Sequence, residues 1–462
     1  MKEKPLIIII MISLIIMILS INIGILTSYT AIIIDLSKQI CKGSFFLEKM
    51  EWYYTDVIKI KDRYIFAGPV GVPLIISPLE CLANNYETGL FIGGLVMSIS
   101  TMISMIYMYL FIKRFGPYKE YIMASLISGV FASMPWIYSS HIFPQALLMM
   151  CYSALLYHSS NMLYKKDPEL KDVIMHSLFS GIALLTDPST IIMIFSISIF
   201  ILIKLINNFR IKITTYKKLF SIIIIWISIF SIALSFQFYY NLSTTGNPFI
   251  FPEIIYSSER GFGTGFDTPV FIGLVAQLID PRKSLLSLYP ISFISLILSI
   301  YFYKDFYSKD AFLIYLIMIF VPLMIYSMWH DYHGGLSYGP RFLTPITILL
   351  IYSIYIILNR SSYKTRILLF IITIYSMMEN SIVVVTSPYS CAFQEMSVFE
   401  NQFLNCTLPM FLNTQENLRA AVINRLISHA VGLDLVFSSY ISAVILFLNV
   451  SLLYLYSLLK KI

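Results

Sequence analysis

Apolar residues in this chain run together instead of alternating with polar ones in the period of a soluble helix or strand. Runs of about 20 mostly apolar residues, the length an α-helix needs to cross a bilayer, recur from the first residues to the last turn. The pattern predicts about twelve transmembrane helices, over residues 5–27, 88–112, 121–139, 142–163, 173–187, 189–206, 219–240, 285–303, 311–329, 342–358, 367–386 and 436–458. Only helices and closed barrels satisfy their backbone polar groups inside lipid. The fold class is therefore all-α integral membrane, read as a single polytopic membrane domain over 1–462. The first run follows Met-Lys-Glu-Lys, exceeds a signal-peptide core and meets no small-residue cleavage site, so it reads as a retained helix. Gly68 to Leu82 is only weakly apolar and holds Pro69, Pro73 and Pro78. That suits a short interfacial or re-entrant segment outside the bilayer better than a span.

The polar stretches between spans are unequal. Segments 28–87, 241–284, 330–341 and 387–435 fall on one side, whereas loops on the other rarely exceed a dozen residues. With the N-terminus in the cytoplasm, the short-loop side holds 20 of the 32 Lys and Arg and 7 of the 25 acids. That asymmetry is the positive-inside pattern, and it puts both termini in the cytoplasm of a multi-pass protein of the plasma membrane. Composition agrees: 58% of the 462 residues are hydrophobic and 12% charged, against about 25% charged in soluble domains. The net charge of +7 comes with no basic helix or aromatic RNA-binding pattern, so topology explains it and no nucleic-acid partner is expected. Cys41, Cys81, Cys391 and Cys406 lie in outer loops, where disulfides are permitted and Cys391 with Cys406 would close one loop; four free thiols are the alternative. Trp52, Tyr53, Tyr54, Phe262, Phe266 and Phe403 make these loops too aromatic for disorder.

Candidate chemistry therefore sits at the outer mouth. Asp35, in "AIIIDLSKQI", falls on an amphipathic helical pattern, where a solvated face competes with a site role. Asp56, in "EWYYTDVIKI", follows a run of aromatics that either form an interfacial belt or line a site. Asp187, in "LLTDPST", suits a cap for the next helix. "WHDYHGGLSYGPRFLTP", residues 329–345, packs His330, Asp331, His333, three glycines and Arg341 between two apolar runs. The histidines with Asp331 are of a type that binds divalent ions, but the loop spacing assigns no metal; a divalent cation stays open and no organic cofactor is expected. Arg341, at the mouth of a span, offers a planar fork to a phosphate; the alternative is snorkelling to lipid headgroups. "NLSTTGNPF" and "RGFGTGFDTP" neither follow a strand nor open a helix, which excludes a nucleotide-binding loop.

Three islands in chain order carry a resemblance. "DRYIFAGPVGVPLIISP" matches a Gly-Arg-Tyr-Tyr-Ser-x-x-Pro-Pro-Gly-x-Pro pattern at Arg63, Tyr64, Pro69, Gly71 and Pro73, and departs at Asp62, Ile65, Phe66 and Val70. Asn241, "GNPF" and "SLLSLYP" form the second, and Trp329 with "GGLSYGPRFL" the third and most specific. Together they resemble the multi-spanning glycosyltransferases that use polyprenyl-phosphate sugars. That C-type glycosyltransferase fold includes protein O-mannosyltransferases and lipid A aminoarabinose transferases. The resemblance implies long extracytoplasmic loops and transfer of a hexosyl or pentosyl group from a dolichyl- or undecaprenyl-type phosphate donor. The acceptor would be an extracytoplasmic protein, lipid or glycan. It implies that Asp56, or Asp35 as the acid nearer the first span, is the general base. Arg341 would hold the phosphate, with Tyr338, His330, Asp331, His333, Arg63 and Tyr64 completing the substrate site. Two rival readings stand beside it. A lipid-linked sugar transporter or flippase calls for polar groups at mid-span and discontinuous helices in pseudo-repeats. A catalytically inactive relative acting in glycan assembly fits the departures in the first loop.

Overall fold

The structure, a computed structural model, describes residues 4–24, 28–48, 56–118, 120–165, 168–210, 216–306, 308–335, 337–386, 396–397, 400–413 and 419–459. In chain order α1 (Lys4–Leu19) leads to α2 (Ser28–Cys41), a hairpin of β1 (Val57–Ile60) and β2 (Arg63–Phe66), α3 (Gly71–Glu80) and α4 (Tyr86–Phe115). Next come α5 (Ile122–Phe131), α6 (Met134–Ser139), α7 (Pro144–Tyr164), α8 (Leu170–Thr186), α9 (Ile191–Arg210) and α10 (Tyr216–Thr245). The loop helices α11 (Pro252–Glu259), α12 (Val270–Leu278) and α13 (Leu285–Leu288) precede α14 (Pro290–Ser299) and α15 (Lys309–Met328). The rest are α16 (Thr344–Leu349), α17 (Ile351–Arg360), α18 (Tyr363–Val385), α19 (Leu408–Leu412), α20 (Val422–Val431) and α21 (Leu435–Leu459).

By length and apolarity, six helices among the described residues can each cross a membrane: α4, α9 with the turn before it, α10, α15, α18 and α21. The pair Arg341–Leu349 and Ile351–Arg360, bent by 49°, makes up to seven. The expectation of twelve spans is not reached, for identifiable reasons. Residues 121–139 break between α5 and α6 just ahead of Pro135, and residues 285–303 break at Tyr289 ahead of Pro290, where proline cannot continue the hydrogen-bond ladder. Helices α1 and α8 have 16 and 17 residues. Helix α7 is long enough, but it is enclosed by α4, α8, α15 and α16. Enclosed on those sides, it shelters Gln145, Ser153, His158 and Asn161 from lipid. Helix α10 shows the opposite logic, with Phe220, Ile224, Ile227 and Ile232 exposed on a face that suits lipid.

One apolar core runs from Leu6 to Tyr454. The loop-rich end is tied to it at several points. Helix α2 packs on α3, the amphipathic and short-segment expectations for these two stretches, and the Cys41–Cys81 disulfide joins them. Cys406 is also disulfide-bonded; Cys391 lies outside the described residues. The hairpin turns at Lys61 and Asp62, both at positive φ (48° and 63°), as a tight turn matched to strand twist requires.

Gly71 belongs to the second half of the Gly/Pro motif, and its place explains why glycine is needed. A Cβ there would lie 2.5 Å from the carbonyl carbon and oxygen of Leu185, two residues before Asp187. Backbone of α3 thus rests on backbone of α8. Gly71→Ala is expected to push the two apart and destabilise the protein by about 1–3 kcal/mol, read as a lower thermal midpoint in detergent at unchanged membrane insertion.

Candidate functional site

The loop after α15 is shaped by glycines. Gly334, Gly335 and Gly339 have φ of +83°, +61° and +65°, a region other residues enter at a steric cost. A Cβ on Gly334 would meet Arg341 Cγ at 2.9 Å, and one on Gly335 would meet Asp331 Oδ2 at 3.0 Å. The bare backbone therefore lies directly against the two charged groups. The Gly335 N–H donates to Asp331 Oδ1 at 2.9 Å, His333 Nδ1 lies 3.2 Å from the same oxygen, and Arg341 Nη2 lies 3.8 Å from Asp331 Oδ2. Arg341 opens a 3₁₀ turn, Arg341–Leu343, into α16. Its guanidinium sits over the rings of Phe342 (4.8 Å) and Phe143 (5.5 Å). Its Nε is buried with no hydrogen-bond partner among the described residues. A planar cation fixed between aromatic faces with donors unspent is a place for an anion.

Phe143 connects this cation to the other half of the site. Tyr29, in the first turn of α2, stacks on Phe143 at 5.0 Å and stands edge-on to Phe66 at 5.4 Å. Phe66 pairs with Val57 across the hairpin, next to Asp56, whose φ of 60° turns the chain into β1. The Tyr29 phenol is raised by burial first; Arg341 opposes that, and Asp56, Glu253 and Asp187 add to it. Four ionisable groups on separate segments thus act on one hydroxyl.

Each acid is positioned from a different element. The Asp56 N–H donates to Tyr256 Oη at 3.4 Å, which ties the hairpin root to α11. Asp187 does cap the turn after α8, accepting the Ser189 N–H at 2.9 Å, but its other oxygen accepts the Tyr326 hydroxyl at 2.7 Å. Tyr326 in turn stacks on Phe342 at 5.4 Å. Glu253, in the first turn of α11, is pushed up to about 8 by burial, with Asp187 adding to it and a backbone hydrogen bond opposing. Tyr29, Asp56, Asp187, Glu253 and Arg341 are all half-buried.

The residues singled out from sequence fall into two groups. Asp56 and Arg341 meet around Tyr29, and Asp331 with His333 joins them through Arg341. Burial pushes His333 down to about 4, so its ring is neutral. His330 stacks on Phe262 at 4.4 Å, and its N–H donates to Gly265 O at 2.7 Å, so it anchors the glycine-rich loop. The others lie apart. Asp35 is buried in α2, six residues and about 9 Å along the helix from Tyr29. Arg63 is at the far end of the hairpin, exposed and 4.4 Å over Phe46. Tyr64 pairs with Lys59 and Leu47 beside it. Tyr338 is fully buried and its hydroxyl donates to Glu379 of α18; it ties the loop to the bundle and does not face the cleft. Among the described residues no three His, Cys, Asp or Glu side chains converge as a metal site would require.

Sequence reading passed over four residues that the fold makes prominent. Tyr29 and Glu253 are two of them. Lys283, in "DPRKS", is 1% exposed and donates from Nζ to Gly335 O at 2.6 Å. Gln402, fully buried, accepts the Gly339 N–H (2.8 Å) and donates to Ser337 O (3.1 Å). The one local signal was Pro252 before Glu253, which marks a helix start.

This arrangement of helices and loops is shared, as a fold, with a solved membrane protein. The solved structure of ArnT from Cupriavidus metallidurans bound to undecaprenyl phosphate superposes with a TM-score of 0.58 at 11% identity, covering 99% of this chain and 78% of that one. The same protein in the apo state gives 0.51 at 11% identity, over 98% and 77%. No protein-family model and no curated protein sequence matches the chain.

Glu253 yields a signed prediction. Its proton is held in the folded state to about 8 but leaves an unfolded chain at the ordinary carboxyl value of 4.5. Folded protein therefore binds the extra proton, and stability falls as pH rises from 4.5 to about 8, then levels off. Glu253→Gln should match wild type at pH 4 and exceed it by about 1–3 kcal/mol at pH 8.5, measured by thermal unfolding of both proteins at the two pH values.

Proposed function

We propose that this chain is a membrane glycosyltransferase that moves one sugar from a polyprenyl phosphate to an extracytoplasmic acceptor. The observation that supports the reading is that Asp56 and Arg341 both act on Tyr29, whose ring stacks on Phe143 beside the Arg341 guanidinium. An isoprenoid donor keeps its tail among the helices and its phosphate at the surface, so its enzyme needs a cation at the bilayer edge and a base across from it. In the proposed step the acceptor oxygen bonds to the anomeric carbon while the bond from that carbon to the phosphate oxygen breaks. Asp56 takes the acceptor proton. Arg341 meets the charge that develops on the departing phosphate. Glu253, protonated at neutral pH, would donate a hydrogen bond to the sugar. The fold it shares with ArnT, solved with undecaprenyl phosphate, supports the donor class. On this reading both termini are cytoplasmic and the cleft faces outward.

Purified protein in lipid nanodiscs, given a panel of labelled polyprenyl-phosphate sugars, is expected to transfer label to an envelope acceptor fraction. Asp56→Asn should lower kcat by about 10²–10⁴ and Arg341→Ala by about 10²–10³. Equal rates in both variants and wild type would sink the assignment; no transfer by wild type despite retained lipid binding would favour the assembly-partner reading. Orientation has its own check. A membrane-impermeant maleimide on intact cells should label Ser258→Cys and leave Lys171→Cys untouched until the membrane is opened; the reverse pattern inverts the topology.

A further inference from the structure

The phosphate site has a second cation that the reaction above leaves unused. Lys283 precedes Ser284, whose capping box with Ser287 starts α13 and fixes the direction in which the lysine leaves the chain. Its ammonium has three protons to donate, and among the described residues one acceptor is found, Gly335 O at 2.6 Å. A buried ammonium so poorly answered is costly.

The charges around it do not balance. Asp331 and Arg341 both act on Lys283, one attracting and one repelling. Asp331 is shared already, with the Gly335 N–H, His333 Nδ1 and Arg341. The next cation, Arg282, is neutralised by Asp280 through two bonds of 2.9 and 2.7 Å. His333, which also faces Lys283, is neutral. Two cations therefore share one carboxylate, and Arg341 Nε has no partner among the described residues.

We propose that Lys283 and Arg341 together grip a single phosphate, the headgroup of a polyprenyl phosphate, with the Gly334–Gly335 backbone as the floor between them. The inference rests on the lipid-phosphate reading of this cleft but not on sugar transfer. It has a consequence that a propping role for Lys283 lacks. Burial, with Arg341 adding to it, lowers the Lys283 ammonium to about 7, against the pull of Asp331. A bound phosphate raises it again. Binding above pH 7 must then take up a proton, and affinity falls as pH rises through and beyond that value.

The test is calorimetric titration of the whole protein in detergent with a short-chain polyprenyl phosphate, in buffers of different ionisation enthalpy at pH 6 and pH 8.5. The uncharged polyprenol of equal length serves as control, and inorganic phosphate as the headgroup alone. Wild type is expected to take up a proton at pH 8.5 and almost none at pH 6 beyond that of the phosphate itself. Lys283→Met should weaken polyprenyl phosphate binding by about 10- to 100-fold at pH 6, abolish the uptake at pH 8.5, and leave polyprenol binding intact, which also shows that the variant is folded. Lys283→Arg should recover part of the affinity and none of the proton uptake. Wild-type affinity in Lys283→Met alongside loss in Arg341→Ala would overturn the proposal, as would failure of wild type to bind polyprenyl phosphate. Binding as described without any sugar transfer would retain the two-cation grip and refute the glycosyltransferase reading alone.

Discussion

A guanidinium at the rim of an apolar bundle is tolerable only if its surroundings answer its charge, and much of the loop-rich end of this protein is arranged to answer Arg341. Two aromatic faces, Phe143 and Phe342, take the flat sides of the group. Asp331 takes an edge at a distance of 3.8 Å, which is too long for a bidentate pair and leaves the fork open. That spacing is imposed by the backbone: the left-handed turn at Gly334 and Gly335 holds Asp331 by its own N–H and fills the room into which the arginine would otherwise swing. The break between α16 and α17 and the 3₁₀ turn before them belong to the same arrangement. Irregular backbone at membrane depth is tolerated where it is buried in protein, and Leu343, Thr344, Leu349, Leu350 and Ile351 are buried.

Phe143 sets the second constraint. By stacking on Tyr29 and touching Arg341 it keeps the acid side of the cleft near the cation without letting the two neutralise each other. Asp187 is immobilised by two hydrogen bonds. Glu253 gives way instead and keeps its proton, which lowers the like-charge repulsion that three carboxylates around one phenol would generate. Asp56 lies at the root of a two-stranded hairpin whose apolar residues pack on Tyr256.

Much of this was legible in the chain. Long apolar runs gave the fold class, and "GGLSYGPRFL" identified the turn and its arginine because glycine and proline have local meanings that tertiary context rarely overrides. The number of spans was less readable, since hydropathy reports lipid exposure and α7, sheltered by its neighbours, has little of it. Tyr338 sits inside the best motif and yet points into the bundle, because a motif records backbone shape and does not say which way each side chain leaves it. Lys283, Glu253 and Gln402 were invisible for a common reason. Each derives its role from a partner 50 or more residues away: Lys283 from Gly335, Glu253 from Asp187, and Gln402 from Ser337 and Gly339.

On the proposed function, the charge count of the site also bears on how product would be released. A polyprenyl-phosphate sugar is a diester with one negative charge, and the monoester left after transfer carries a second near neutral pH. Two cations facing one shared carboxylate leave a surplus of about one positive charge, matched to the substrate. The extra charge that develops on the phosphate during transfer is then met by donors already in place, which is where differential binding accelerates a reaction. Asp331 prevents the gain from becoming a trap. By its pull on both Arg341 and Lys283 it would keep the site from matching the dianion fully, so that the spent lipid phosphate could leave. On that reading, Asp331→Asn is expected to tighten polyprenyl phosphate binding, read by calorimetry, and to lower kcat.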